Sequence, residues 1–177
     1  MNIFVTDPDP NKSAQVLPDK HVVKMPLETC QMLAVVYSKW YFNWGNDLLP
    51  KKDGTPYNTE KGAFRGHPCT IWAAENIYNT AWLIQHGFGL LEEYTHRYGK
   101  VHMTDTKLRE LLQSSPMQIP VETYVDPYLA MPDDVKQTNV VEAYKNYYIN
   151  YKKDFAKWTQ RPVPEFMKFE THAGFAS

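Results

Sequence analysis

From Leu17 to Leu33 the chain reads Leu-Pro-Asp-Lys-His-Val-Val-Lys-Met-Pro-Leu-Glu-Thr-Cys-Gln-Met-Leu. Wound as a helix, this stretch puts His21, Lys24, Glu28 and Gln31 on one face, because they recur at spacings of three, four and three residues. Val23, Leu27, Cys30 and Ala34, with Met25, Met32 and Leu33, supply apolar area on the neighbouring faces. A file of ionisable and amide groups therefore sits against a helix rich in core residues, and burying such groups is costly unless they are paired or wet. Two readings follow. The file lines a functional cleft, or it is a surface stripe and structural ion-pair ladder in which Lys24 and Glu28 form an i,i+4 pair.

The 177 residues fit one domain with a sizeable core, read here as residues 1–177. Five Trp and twelve Tyr are many for this length. Aromatics bury large areas and also stack on bases, so their number does not separate core from ligand platform. A formal net charge of −1 argues against strong, sequence-blind binding of nucleic acid, which needs a dense Lys/Arg surface. A local patch remains open: Lys51 and Lys52 form one cationic pair, and Lys145, Lys152, Lys153, Lys157, Arg161 and Lys168 bias the C-terminal quarter. Two cysteines, Cys30 and Cys69, make no disulfide framework. Asp7 and Pro8 interrupt the N-terminus too early for a signal peptide, and no run approaches the roughly 20 apolar residues of a membrane span. The expectation is a soluble, cytoplasmic protein with no membrane partner and undetermined oligomeric state.

The pattern along the chain is helical. Ile3 to Val5 reads as a short β-like segment or extended arm, followed by a turn at Asp7–Asn11 and a brief helix over Ser13–Leu17. The first long helix is expected from Asp19, as N-cap, to Tyr41, with a kink at Pro26 or a start near Met25. Residues 43–66 form a long loop. A second long helix spans Cys69–Tyr98 and stops at Gly99. Thr104 or Asp105 opens a short helix to Gln113, residues 114–137 are irregular, and Asn139 with Glu142 opens a last helix over Val140–Trp158. There is no internal repeat.

The chemistry-bearing candidates cluster twice. A carboxylate near a cation, as in Glu28 with Lys24, suits a general base or charge stabiliser. His67 stands just before a helix start, where it either caps the helix or flanks an anion held by free N–H groups. Trp72, Asn76 and Asn79 extend along that helix; mid-helix Asn is disfavoured by propensity, which places Asn76 at a polar cleft, whereas Trp72 reads as core before ligand platform. His21, His67, Cys30, Cys69 and Glu28 lack any zinc-like local spacing, so neither a metal nor another cofactor is expected. Cys69 beside His67 leaves a thiol nucleophile as a minor alternative.

The order Leu17-x-Asp19-x-His21, with Glu28 seven residues after the His, resembles the phage pyrimidine dimer DNA glycosylases of the endonuclease V type. Gly66-His67 before a long helix, Gln160-Arg161-Pro162 after a basic aromatic one, and the start Met1 to Thr6 extend the resemblance over most of the chain. The chain is also similar to small phage proteins with the pattern DKHVVKMxLExxQML, then HPCxIWA, then EYxxRYGKxH; that likeness brings no activity with it. The glycosylase resemblance implies a compact, all-α domain in which the α-amine of the first residue attacks sugar C1′, displaces the base and leaves a Schiff base that decays by β-elimination. It implies Glu28 as the essential carboxylate, His21 in the same site and the Met1 amine as nucleophile, since bulky Asn2 favours retention of Met1. Asn2, Lys24, Gln31, His67, Trp72 and Asn76 are then the expected substrate-binding residues, and DNA or a nucleotide the partner, in the host cytoplasm if the protein is phage-encoded. Two Arg that grip DNA in the family correspond here to Leu27 and Gln31, and Asp7 to Lys12 is an insertion. Non-catalytic sequestration of a nucleotide, or a protein–protein adaptor with a buried polar network, are the alternatives.

Overall fold

The computed structural model describes residues 2–38, 40–42, 53–54, 64–114 and 126–168, without the side chains of 111–114. These residues are helical: α1 Pro10–Val16, α2 Asp19–Tyr37, α3 Pro68–Glu75, α4 Ile77–Tyr98, α5 Asp105–Ser114 and α6 Val140–Tyr147. No strand occurs among them. No helix among them is long and apolar enough to cross a membrane. The expected loop at 43–66 lies almost entirely outside the described residues.

Helix α4 is the hub, packed against α1, α2, α3 and α5. Its Gly89 faces α1, where an added Cβ would meet Asn11 Oδ1 at 2.9 Å and the Ala14 Cβ at 3.1 Å. Trp72 of α3 and Trp82 of α4 meet edge to face, centroids 5.9 Å apart, among fully buried Leu17, Met32, Leu33, Leu83 and Leu90. Ile3, Phe4 and Val5 are buried in the same core, so the expected N-terminal segment is a buried arm, with no sheet partner among the described residues.

Helix α2 departs from expectation at three points. It runs without a break through Pro26, whose missing N–H costs one ladder bond. Burial of Val22, Met25, Thr29, Cys30 and Leu33 around it outweighs that loss, since packing supplies most helix stability in a fold. Pro18, not Asp19, occupies the N-cap. The Asp19 carboxylate instead accepts from Arg97 Nη1 at 2.9 Å and from Thr159 N and Oγ1 at 2.9 and 2.7 Å. The helix also ends at Tyr37, four residues short of Tyr41, with Ser38 as its cap.

The expected Cys69–Tyr98 helix is two helices. Asn76 breaks it with extended backbone (φ −155°, ψ 165°), and its side chain accepts from Asn79 N to cap α4. Gly99 stops α4 in the left-handed region at φ +63°, as expected. Asn139 caps α6 through the Glu142 N–H, also as expected, but the helix does not reach Trp158. It widens after Tyr147 into a π turn over Tyr148–Lys152 and then a 3-10 turn over Lys153–Phe155.

Residues 157–161 strap this C-terminal segment across the start of α2. Asp19 N donates to Lys157 O at 2.7 Å, and Trp158 Nε1 donates to Val16 O at 2.9 Å. Beneath them Arg97 donates to Glu93, Asp19 and Gln15 O, while Arg161 donates to both Glu93 oxygens at 2.9 Å. The strap thereby seats the π turn of the C-terminal segment beside the first turn of α2.

Candidate functional site

Glu28 sits mid-way along α2 with 8% of its surface exposed. Its Oε2 accepts from the backbone N–H of Asn2 at 3.3 Å, and Lys24 Nζ stands 3.3 Å from Oε1. The Lys24 side chain is 62% exposed, so solvent screens this pair and it contributes little to stability. The nitrogen of the second residue is thus in contact with the carboxylate that the sequence singled out. Met1 lies outside the described residues.

Asn2 is an anchor. Its Oδ1 accepts from Ile3 N at 2.7 Å, Phe4 N at 3.2 Å, the Tyr144 hydroxyl at 2.8 Å and the Cys69 thiol at 3.8 Å. Its Nδ2 donates to Ala130 O at 2.7 Å. One side chain thus ties the N-terminal arm to α3, α6 and the segment before α6. An Asx turn of this kind is local chemistry, but three of the side chain's partners, Cys69, Ala130 and Tyr144, come from distant parts of the chain.

The turn forces Phe4 into the left-handed region at φ +59°, an uncommon place for a bulky residue and one that stores strain. In this conformation its ring stacks on His21, centroids 4.2 Å apart and planes 22° apart. His21 Nδ1 is 2.5 Å from the hydroxyl of Tyr148 in the π turn. Burial, and then the ammonium groups of Lys152, Lys24 and Lys20, push the His21 imidazole down from 6.5 to about 3, so the ring is neutral at physiological pH. Burial, with Tyr144 and Tyr147 adding to it, holds the Tyr148 phenol well above 10.0.

The other expected site residues separate. Gln31 lies half-buried one turn beyond Glu28. His67 caps α3, its Nδ1 accepting from Cys69 N at 3.1 Å, and Cys69 in turn reaches Asn2. Trp72 is wholly buried against Trp82 and presents no face to a ligand. Asn76 is occupied as the cap of α4, which accounts for an Asn where propensity disfavours one. The thiols of Cys30 and Cys69 are buried, and burial pushes each up to about 12; neither supplies a thiolate nucleophile near neutrality. Among the described residues no group of three or more His, Cys, Asp or Glu can hold a metal ion.

Sequence reasoning missed Phe4, Tyr144 and Tyr148. A signal for the last two existed, because Tyr144, Tyr148 and Tyr151 recur at spacings of four and three and mark an aromatic face.

A model of the pyrimidine dimer DNA glycosylase family matches residues 1–107 of the chain, and the chain belongs to that family. Comparison with curated proteins and with solved structures finds no match. The family match takes in Asn2, His21, Glu28 and His67; α6, the π turn and the strap lie beyond it.

Proposed function

We propose that the protein is a single-domain DNA glycosylase and lyase that breaks an N-glycosidic bond by attack of its N-terminal amine, with Glu28 as the essential carboxylate. The observation that carries this reading is the 3.3 Å contact between Asn2 N and Glu28 Oε2, which brings the backbone of the second residue to the Glu28 carboxylate. Family membership supports DNA as the partner.

A terminal amine has a pKa near 8 and is easily deprotonated at neutral pH, so it is a competent nucleophile. Its nitrogen bonds to C1′, the bond from C1′ to the base breaks, and the base leaves with the electron pair and takes up a proton. Opening of the sugar ring gives a Schiff base, and loss of a proton from C2′ expels the 3′ phosphate by β-elimination. Glu28 stabilises the developing positive charge on the sugar and carries the protons. The amine is that of Met1; in a chain processed to Asn2, the nitrogen now seen beside Glu28 would itself be the amine. Lys24 and Gln31 flank Glu28 one turn to either side on α2, His21 lies two turns before it, and His67 stays at the start of α3 as its cap.

The test is borohydride trapping on an abasic-site duplex and single strand. The wild-type protein is expected to cross-link, while an N-terminally extended protein and Glu28→Gln are not. Equal trapping by the extended protein refutes the amine as nucleophile. Absence of trapping by the wild type on both substrates refutes the lyase reading for DNA and directs the search to free nucleotides.

A further inference from the structure

Tyr148 and His21 are 127 residues apart in sequence, and their 2.5 Å contact is buried. Its direction follows from hydrogen-bond accounting. Tyr148 is fully buried, and among the described residues its hydroxyl has no other partner. If Nδ1 of His21 carried the proton and donated it, the phenolic O–H would be left in the core with no acceptor, a loss of roughly 1–3 kcal/mol for a buried donor. If the hydroxyl donates to a bare Nδ1, nothing is orphaned. A neutral imidazole with a bare Nδ1 carries its proton on Nε2. No described residue accepts from Nε2, and this nitrogen is not among the wholly enclosed polar atoms without partners.

We infer that Tyr148 is a positioning residue: its hydroxyl fixes His21 as the Nε2–H tautomer, so that the ring offers the substrate a hydrogen-bond donor and not a base. This rests on the glycosylase reading only in naming the recipient, a phosphate oxygen of the bound nucleotide. The stacked ring of Phe4, held by the Asn2 turn, fixes the imidazole plane, and Tyr148 fixes which nitrogen is protonated. The neutral state of the ring, with its value pushed down to about 3 by burial and by Lys152, Lys24 and Lys20, agrees with this arrangement. Tyr148 lies beyond the residues that the family model matches, whereas His21 and Phe4 lie within them.

Nitrogen-15 NMR of the free protein tests the assignment without any substrate. At pH 6 the His21 ring is expected to show a bare Nδ1, a protonated Nε2 and a Tyr148 hydroxyl proton protected from exchange and correlated with Nδ1. Tyr148→Phe, folded by circular dichroism, is expected to show a mixture of tautomers. On the abasic duplex it should lose about tenfold in kcat, or about 1.4 kcal/mol, with KM within about twofold. A protonated Nδ1, an imidazolium at pH 6, or no protected hydroxyl proton in the wild type overturns the inference even if the variant does not fold. An unchanged tautomer and kcat in Tyr148→Phe overturns it as well. Failure of the glycosylase reading shows separately, as absent trapping with the wild-type tautomer intact.

Discussion

Glu93→Gln is the sharpest test of how the site is held. The Glu93 side chain is 2% exposed and accepts from Arg97 Nε at 2.8 Å and from Arg161 Nε and Nη2 at 2.9 Å; the Arg97 side chain is wholly buried. Gln keeps the volume but removes the charge and turns an amide NH2 towards guanidinium donors. Removing one partner from a buried ion pair costs about 3–5 kcal/mol, because the other charge stays buried without compensation. Here Arg97 keeps Asp19 and Gln15 O, and Arg161 is partly exposed, so the lower end, about 3 kcal/mol, is expected. For a domain of this size that lowers Tm by roughly 10 °C. The pH dependence carries its own sign. Burial raises the Glu93 and Asp19 carboxyls, but the hydrogen bonds from Arg161 and Arg97 to Glu93, and from Thr159 and Arg97 to Asp19, more than offset it, so both stand below their ordinary values of 4.5 and 3.8. Their contribution is complete above those values and is lost as the pH falls through the lower folded ones. Urea denaturation followed by circular dichroism at pH 7 and pH 3 reads both effects, and trypsin cleavage at Lys157 reports release of the strap. A loss below about 1 kcal/mol at pH 7, with the strap still protected, would refute the claim that this network seats the C-terminal segment against α2.

Other perturbations probe single features. Gly89→Ala drives a methyl into Asn11 and Ala14 at about 3 Å, and is expected to cost about 1–3 kcal/mol in urea melts by prising α1 from α4. Asn76→Ala removes the α4 cap and should cost about 1 kcal/mol while leaving borohydride trapping unchanged, whereas a ligand-binding Asn76 would lower trapping without lowering stability. His86 is buried, with Nδ1 donating to Pro10 O, and burial pushes it down to about 4. At His86 the unfolded chain takes up a proton near 6.5 and the folded one does not, so this residue makes stability fall as the pH drops from 6.5 towards 4, by about 3 kcal/mol. His86→Asn, whose amide reproduces the Nδ1 donor, should make that segment of the urea-midpoint profile shallower, leaving the fall that the buried His21 contributes.

The local grammar of the chain was legible from its residues. Caps and stops act over three or four positions, so Asn139 with Glu142, Asp105 and Gly99 announced their helix ends in the sequence itself. The i,i+4 placement of Lys24 and Glu28 on one helix face followed from the period of the helix alone, and the pattern around His21 and Glu28 pointed to the family that the comparison confirms. Where the reading failed, a partner distant in sequence had taken a group that local rules assign elsewhere. Asp19 has the chemistry of an N-cap, but Arg97 and Thr159 claim its carboxylate. Pro26 should disturb its helix, but buried neighbours on both sides hold the turn. Trp72 is core, the first of its two readings, with Trp82 against it, whereas the polar cleft expected at Asn76 gives way to a turn of the chain and a helix cap. Nothing within reach of His21 along the chain discloses Tyr148 or the ring of Phe4, since hydrogen-bond direction and burial depend on which surfaces meet after collapse. The sequence determined which helices could form and which polar face they carried; tertiary packing decided which of those polar groups stayed open to chemistry, because only packing removes water and chooses partners.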